Sequence, residues 1–255
     1  MNRVLYVRNL GRISFSEGLR VQEQLQRQHL DELAGKTKDP ARDTLLLCEH
    51  YPVYTTGYRT AQYPAAEEDR LRKFGAEFHR TNRGGLITYH GPGQLVVYPV
   101  LNLAHFRKSM KWYICQLEKS VIRTCQSFGI QAQTSPDTGV WVGDRKICAV
   151  GVHGSRFVTT HGLALNCNPD MTWFRHIVPC GIVGKGVTSL SMELGQNVRI
   201  QDAVPTMVTS FAEQFDCSEV RDWDQNVPVE TQSEGSKMHY WILTKEGTFH
   251  LYMYY

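Results

Sequence analysis

The first 35 residues carry the clearest helical pattern in the chain. Residues 14–17 have the spacing of a capping box, in which a serine hydroxyl and a glutamate cover free amides at a helix start. Apolar residues then fall four apart, at Phe15 and Leu19 and again at Val21 and Leu25. This spacing predicts an amphipathic helix that runs from about residue 15 into the mid-30s.

The rest of the chain shows helical and extended patterns in blocks. Further helices are predicted to start at Pro64 and to cover Lys108–Phe128 and Ile200–Phe215. Extended patterns predict strands at Thr44–Cys48, Val53–Thr56, Ala76–His79, Leu86–Tyr89 and Leu95–Leu103, and a series of strands between Thr138 and Leu165. Because these strands cluster in runs rather than alternating with helices, the pattern predicts an α+β fold. We expect a single domain around a mixed, largely antiparallel sheet.

Composition narrows the class of protein. The chain has 255 residues, of which 42% are hydrophobic, and a formal net charge of +3. That charge is too balanced for a dedicated nucleic-acid binder. The mean hydropathy is −0.36, and no apolar run approaches the ~18 residues that a membrane span needs, so neither nucleic acid nor membrane is an expected partner.

The seven cysteines are scattered, and no two form a C-x-x-C pair, which weakens metal-site and redox-motif readings. Cys180 stands between Pro179 and Gly181, on a turn where a thiol can be exposed and reactive. Cys167 is the rival nucleophile in the same region. Spacing alone leaves the choice between the two open.

A glycine-rich corner at residues 83–98 lies between two strand-like runs. Its glycines allow a close backbone approach, and the amides of Gly84 and Gly85 could hold an anion or an acyl carbonyl. Arg83 and His90 offer polar contacts there. The alternative is a structural bulge in which His90 is satisfied internally.

Lys146 opens an otherwise apolar run. With a period of two, it shares a strand face with Cys148 and Val150. A lysine turned inward would be a candidate partner for a nucleophile. On pattern alone, a lysine whose stem lies along apolar surface with its head in water is the better interpretation.

These segments together resemble one family. The run Arg83-Gly-Gly-x-x-Thr-Tyr-His-x-x-Gly-Gln-x-Val-x-Tyr98 is similar to the signature of the lipoyl(octanoyl) transferases. Further segments resemble the same family in the same order: 49–57, 144–151, 161–166, and 177–182 with 186–190.

The resemblance implies a fold, a site and partners. It implies the catalytic fold shared with biotin and lipoate protein ligases, with Cys180 as the acyl-carrying nucleophile, Lys146 as its activating partner, and neither metal nor cofactor. The acyl pocket that it implies is formed by Arg83, Gly84, Gly85, Leu86, Ile87, Thr88, Tyr89, His90, Ala149, Val150, Gly151, Gly162, Leu163 and Ala164. The implied donor is octanoyl-acyl carrier protein. The implied acceptors are lipoyl domains of 2-oxoacid dehydrogenases and the H protein of glycine cleavage.

Two alternatives remain at this point: an ATP-dependent lipoate or biotin ligase, and an inactive adaptor that binds carrier protein. The resemblance ends near residue 217, so we expect a catalytic domain at 1–217 and an extension of unknown role at 218–255. Arg3, Arg8 and Arg12, with no acid before Glu17, suit a mitochondrial protein, as does the animal-like segment before Cys180. A bacterial member would act in the cytoplasm.

Overall fold

The computed structural model describes residues 3–59, 63–178 and 184–224 in full, and the backbone of 231–234, 237–243 and 249–252. The helices are α1 (Phe15–Leu33), α2 (Ala65–Arg72), α3 (Met110–Ser127), α4 (Leu190–Leu194) and α5 (Ile200–Gln214), with 3-10 turns at Leu103–His105 and Met171–His176. The strands are β1 (Val4–Ile13), β2 (Thr44–His50), β3 (Val53–Thr56), β4 (Glu77–Arg80), β5 (Thr88–His90), β6 (Gln94–Val100), β7 (Gln133–Thr134), β8 (Val140–Val142), β9 (Arg145–Ser155), β10 (Val158–Asn166), β11 (Gly186–Val187), β12 (Glu219–Asp222), β13 (Thr231–Glu234), β14 (Lys237–Leu243) and β15 (Phe249–Tyr252).

Nine of the described strands form the main sheet, in the order β12-β1-β2-β6-β10-β9-β8-β7, with β11 paired to β9. β1 runs parallel to both β12 and β2, and β11 runs parallel to β9. The remaining neighbours, from β2 through β6, β10, β9 and β8 to β7, are antiparallel. The predicted α+β fold with one mixed, largely antiparallel sheet is therefore confirmed.

Side-chain alternation gives the central strands two buried faces. On β2, Leu45 and Leu47 pack into a large core with α3 and α5, whereas Leu46 and Cys48 face α1. β6 divides in the same way, which is why its sequence is almost continuously apolar. The candidate site lies on the α1 face.

A smaller sheet, in the order β4-β3-β5, adjoins that face. Its own apolar cluster includes Tyr54, Ile87, Tyr89 and Phe174. Tyr89 stacks on Trp173 with the ring centroids 5.2 Å apart, which joins β5 to the 3-10 turn that precedes Cys180.

The first helix forms as predicted, but its buried face differs from the expected one. The amide of Glu17 donates to the hydroxyl of Ser14, and the amide of Ser14 donates to the Glu17 carboxylate, so the capping box is present. The buried residues are Phe15, Gly18, Gln22, Leu25 and His29, so of the four apolar residues that marked the pattern only Phe15 and Leu25 are fully buried.

Near the chain's end, β12 pairs with β1 in the main sheet, so this sheet includes residues beyond the expected boundary at 217. β14 pairs with β13 and with β15 in a separate antiparallel sheet. In the described part of the chain, no helix combines the length and the hydrophobicity that crossing a membrane requires.

Candidate active site

A cavity lies between β5, β9, β10 and the start of α1. The empty space between its lining residues, with open solvent at the mouth included, is about 470 Å³. It is lined by Phe15, Arg83, Gly85, Leu86, Thr88, His90, Val96, Tyr98, Ala149, Val150, Gly151, His161, Gly162, Leu163 and Ala164. A smaller space of about 240 Å³ shares Thr88, Ala149 and Ala164 with it and reaches Lys146, so the two spaces adjoin, and together they are called the passage.

This lining brings together most of the expected pocket residues. Along β5 and the turn before it, Leu86, Thr88 and His90 face the cavity, while Ile87 and Tyr89 point into the small-sheet core because successive side chains alternate. Gly84 also lies outside the lining. Four cavity residues were not expected from the sequence: Phe15, Val96, Tyr98 and His161.

The glycine-rich corner at residues 83–98 is held in place by hydrogen bonds to β3 and to β9. Arg83 is buried, and its guanidinium donates to the carbonyl and the hydroxyl oxygen of Thr55 at 2.6 and 2.9 Å, and to the Gly84 carbonyl at 2.8 Å. The amide of Gly84 donates to the Val152 carbonyl at 3.0 Å. This amide therefore does not offer itself to an acyl carbonyl, contrary to the expectation from sequence.

Glycine is required where this corner passes β3. A Cβ atom on Gly57 would lie 2.2 Å from the Gly85 carbonyl oxygen, and Gly85 itself has a φ of +87°. The close approach holds the cavity wall against the small sheet.

His90 is a neutral imidazole with a defined tautomer. Its Nδ1 lies 2.7 Å from the Gln94 side-chain oxygen, whose amide nitrogen donates to the carbonyl of Tyr89 and to the side-chain oxygen of Asn166. The amide oxygen must accept, so Nδ1 carries the hydrogen and Nε2 does not. Burial lowers the pKa of His90 to about 3, and the nearby His50 adds to this shift.

The bonds from His90 continue to the segment that follows Cys180. The Asn166 amide nitrogen donates to the Thr188 carbonyl at 2.9 Å. The Thr188 amide in turn donates to the Lys146 carbonyl at 3.0 Å. A series of hydrogen bonds thus joins the cavity wall to β9, the strand that carries Lys146. It runs through His90, Gln94, Asn166 and Thr188.

Two further histidines are neutral: His161, which lines the cavity, and His50, which contacts the lining residue Tyr98. Burial lowers the pKa of His161 to about 3. Burial also lowers the pKa of His50, which lies within 2.8 Å of the Tyr98 hydroxyl and 3.1 Å of the Ile13 carbonyl. The Nδ1–H must donate to that carbonyl, so the Tyr98 hydroxyl donates to Nε2. These three imidazoles are therefore uncharged, while Arg83 is a charged side chain in the same lining.

Lys146 lines the smaller space and is buried, with 5% of its surface exposed. Its Nζ donates to the Thr138 carbonyl at 3.0 Å and lies 4.8 Å from the Trp141 ring centroid. Lys185 approaches the same ring and pairs with Asp137. Lys146 therefore points inward, and the snorkelling interpretation is wrong.

A β-bulge determines the direction in which the Lys146 side chain points. The register between β8 and β9 shifts after Val140, so that Ile147 is an extra residue opposite β8. As a result Lys146 lines the passage with Ala149, while Cys148 packs in the α3/α5 core. The expected shared face of Lys146 and Cys148 is therefore wrong, because the bulge interrupts the period of two.

Cys180 lies outside the described residues, as does the whole of 179–183. The chain is described again from Gly184, and Val187 pairs with Lys146 across β11 and β9. Cys167, the rival thiol, is fully buried in the α3/α5 core, and burial raises its pKa to about 12. Cys167 therefore cannot supply a thiolate to a substrate in the passage.

The described residues contain no group of three or more His, Cys, Asp or Glu side chains placed to hold a metal ion. The site combines a buried amine, a largely apolar passage that also carries Arg83, and a strand, β11, that begins six residues after Cys180 in the sequence. Such an arrangement suits transfer of an acyl chain.

Comparisons with known proteins point the same way. Residues 16–212 match the family described as the lipoyl protein ligase A/B catalytic domain. A Danio rerio protein named octanoyl-[acyl-carrier-protein]:protein N-octanoyltransferase LIPT2, mitochondrial, is 61% identical over 82% of this chain and 92% of its own. Its Xenopus tropicalis namesake is 54% identical over 83% of this chain and 87% of its own. The crystal structure of P. falciparum LipL1 in complex with lipoate is similar with a TM-score of 0.62 and 13% identity, over 99% of this chain and 85% of that one.

Proposed function

Because the chain belongs to the lipoyl protein ligase A/B catalytic family, and within it to the octanoyl-[acyl-carrier-protein]:protein N-octanoyltransferases, we propose that it carries the acyl group on Cys180. It is an acyltransferase of protein lipoylation and, like its animal relatives, a mitochondrial protein. The donor is octanoyl-acyl carrier protein. The acceptors are lysines on lipoyl domains of 2-oxoacid dehydrogenases and on the H protein of glycine cleavage.

The observation that carries the proposal is the position of Lys146. An amine at the inner end of an apolar passage is desolvated, which costs free energy unless the group is used or paired. Its Nζ donates to the uncharged Thr138 carbonyl, and Val187, seven residues after Cys180, pairs with Lys146 between β11 and β9. A lysine in this place can act on a thiol and on an acyl chain together.

The first half-reaction moves the acyl group onto the enzyme. The Cys180 thiolate attacks the carbonyl carbon of the donor thioester, a bond forms between them, and the bond to the carrier sulfur breaks. The Lys146 ammonium stabilises the attacking thiolate and gives a proton to the departing carrier thiolate. Because one thioester replaces another, this step needs no ATP.

The second half-reaction forms the amide. The neutral amine of the acceptor lysine attacks the acyl carbon, the new C–N bond forms, and Cys180 leaves as a thiolate. Lys146, now an amine, takes the proton that the acceptor nitrogen loses. The lysine gives one proton and receives one, so the enzyme returns to its starting state.

The test is to incubate the protein with octanoyl-acyl carrier protein without ATP and to measure its intact mass. We expect a single octanoyl adduct on the unaltered protein and on Cys167→Ser. We expect none on Cys180→Ser, since a serine hydroxyl has a far higher pKa than a thiol. Adding a lipoyl domain should then move the adduct to its lysine.

The other outcomes decide between the alternatives. An adduct that is lost in Cys167→Ser and kept in Cys180→Ser contradicts the assigned nucleophile. A lipoyl-domain product that forms only with ATP supports a ligase. Neither adduct nor product under any condition supports an adaptor.

A further inference from the structure

Lys146 is held by the peptide group that joins Thr138 to Gly139, just before β8. The Lys146 Nζ donates to the Thr138 carbonyl at 3.0 Å. The N–H of the same peptide group, that of Gly139, donates to the Glu118 carboxylate at 2.9 Å. Because the carbonyl and the N–H of a trans peptide group point in opposite directions, Lys146 and Glu118 lie on opposite sides of it. One rigid, planar group therefore connects the amine of the site to a carboxylate on α3.

The position of Glu118 is fixed by the packing of α3. Its neighbours Leu117 and Val121 are fully buried in the α3/α5 core, and Glu118 itself is half-buried. Among the described residues, its carboxylate bonds only to the Gly139 amide. Burial raises the pKa of Glu118, and the Gly139 amide and the charge of Lys146 oppose this shift. A carboxylate partly removed from water without a direct ion pair costs free energy, so stability does not account for it.

The peptide group between Glu118 and Lys146 has little room to turn. A Cβ atom on Gly139 would lie 2.7 Å from the Cys148 carbonyl oxygen and 3.2 Å from the Lys146 Cε. Gly139 has a φ of +125°, which glycine adopts without strain. The carbonyl is therefore held toward Lys146 while the N–H is held toward Glu118.

A second lysine near the site has its charge paired elsewhere. Lys185, which precedes β11, lies 4.6 Å from the Trp141 ring centroid, and Lys146 lies 4.8 Å from the same centroid. Lys185 forms an ion pair with Asp137 at 3.2 Å. The negative charge of Asp137 is therefore directed to Lys185 rather than to Lys146.

The titratable groups on the strands around Lys146 carry either no charge or a paired one. On β9, Arg145 is exposed and pairs with Glu193, and Cys148 is a neutral thiol because burial raises its pKa. On β5, burial lowers the pKa of His90, so its imidazole is neutral. The charge that acts on Lys146 through a bonded group is therefore the carboxylate on α3.

We propose that Glu118 is a positioning residue for the transfer reaction: through the Thr138–Gly139 peptide group it orients the Lys146 side chain and favours its ammonium form. The carboxylate polarises the peptide group, so the Thr138 carbonyl becomes a stronger acceptor for the ammonium. The proposal rests on the proposed function, in which that ammonium stabilises the Cys180 thiolate and gives a proton to the departing carrier thiolate. It adds a residue outside the segments that carry the family resemblance.

The test is the pH dependence of acyl-enzyme formation from octanoyl-acyl carrier protein, followed by intact mass after quenching between about pH 6 and 10. Glu118→Gln keeps an oxygen that can accept from the Gly139 amide, but it removes the charge. The Lys146 ammonium should then lose its proton at a lower pH, so the rate should begin to fall about one pH unit earlier on the alkaline side. At a pH within this fall the rate should be about tenfold lower, whereas at lower pH the two rates should be similar.

Glu118→Asp separates the charge from the hydrogen bond. It keeps the carboxylate, but the side chain is one carbon–carbon bond, about 1.5 Å, too short for the Gly139 amide. We expect a lower rate at every pH, because the peptide group is no longer held, and a smaller alkaline shift than in Glu118→Gln. If Glu118→Gln fails to fold, a Glu118→Asp variant with the unaltered rate and pH profile overturns the proposal.

Glu213→Gln is the matched control. Glu213 is an exposed carboxylate on α5 that also contacts α3, through an ion pair with Arg123. This change removes the same charge without touching the Thr138–Gly139 peptide group, so the pH profile should stay unchanged. If Glu118→Gln has the profile of the unaltered protein, or if the control shifts equally, the positioning role is overturned while the proposed function stands. If the unaltered protein forms no acyl adduct at any pH, the proposed function fails instead.

Discussion

The two faces of β6 and β10 show how the same strands can build both a solid core and a cavity. Toward α3 and α5, Leu95, Val97 and Leu165 belong to a continuous apolar core. Toward α1, the residues between them include Gln94 and Asn166, with small residues where the passage runs. On the core face, the choice of residue is determined by how well the side chains fill the space. On the cavity face, it is determined by hydrogen bonds and by the small residues that leave the passage open.

This difference predicts opposite responses to substitution. On the core face, apolar replacements of similar size should cost little. On the cavity face, replacing a polar residue by an apolar one leaves its buried hydrogen-bond partners unsatisfied. Replacing a glycine by a larger residue there brings the new side chain into contact with the backbone. The variants below test this difference between the two faces.

The largest effect is expected at Lys146, the buried amine of the cavity face. Lys146→Arg and Lys146→Met should each lower kcat for octanoyl transfer by about 10²–10⁴-fold, since arginine keeps the charge but cannot give up a proton. Steady-state transfer to a lipoyl domain measures this effect. Lys119→Arg, an exposed change on α3, is the control. An arginine form with full turnover would mean that Lys146 acts only as a fixed cation.

Gly162→Ala should give the next largest effect, on stability. A Cβ atom there would lie 2.1 Å from the Val97 carbonyl oxygen, so β6 and β10 must separate, at a cost of about 3 kcal/mol. Thermal melting should show a Tm lowered by roughly 6–12 °C. Gly84→Ala, whose nearest contact would be 3.7 Å away, should leave the Tm almost unchanged. Equal shifts in the two variants would contradict the tight approach at Gly162.

Gln94→Leu tests the polar bonds of the cavity face. It removes the acceptor of His90 and the donor to Asn166, so the free energy of unfolding should fall by about 2 kcal/mol, although leucine is the more hydrophobic residue. Leu95→Met, one residue along on the core face, should cost less than about 1.5 kcal/mol. Urea unfolding compares the two. A Gln94→Leu variant as stable as Leu95→Met would remove the contrast between the faces.

The last expected effect is a pH dependence to which two buried histidines of the cavity face contribute. The pKa values of His90 and His161 are lowered to about 3 in the folded chain, so the unfolded chain binds more protons below its histidine pKa of about 6.5. Stability is therefore complete above about pH 6.5 and falls as pH decreases toward 3, by at most about 1.4 kcal/mol per pH unit for each histidine. Denaturant midpoints between pH 7.5 and 5.5 measure the slope. His161→Gln should reduce the slope, and Leu95→Met should leave it unchanged.

Sequence patterns predicted the helices well because burial of an amphipathic face follows their period. They did not show which residues of α1 are fully buried: Gln22 and His29 are, whereas Leu19 and Val21 are only partly buried. Each of the two polar residues bonds a backbone group of another segment. No local pattern reports a bond to a carbonyl or amide that is distant in sequence.

The candidate site shows the same limit. The family resemblance indicated the strands that line the cavity, but a bulge at Ile147 decides which way Lys146 points. The Gly84 amide is taken by Val152, a pairing between distant segments. Phe15 lies outside the segments that carry the resemblance, and only the packing of α1 on the sheet brings it into the cavity.

The pairing of β1 with β12 has a consequence for the order of folding. The Ser218 hydroxyl donates to the Arg3 carbonyl across 215 residues of chain, and β12 then continues alongside β1. Contacts between residues so distant in sequence form late, because the entropy of closing the long loop must be lost before they stabilise anything. During synthesis, β1 can pair with β2 early but keeps an open edge until almost the entire domain has emerged. The interval before β12 docks is therefore the period in which this edge is exposed to other chains.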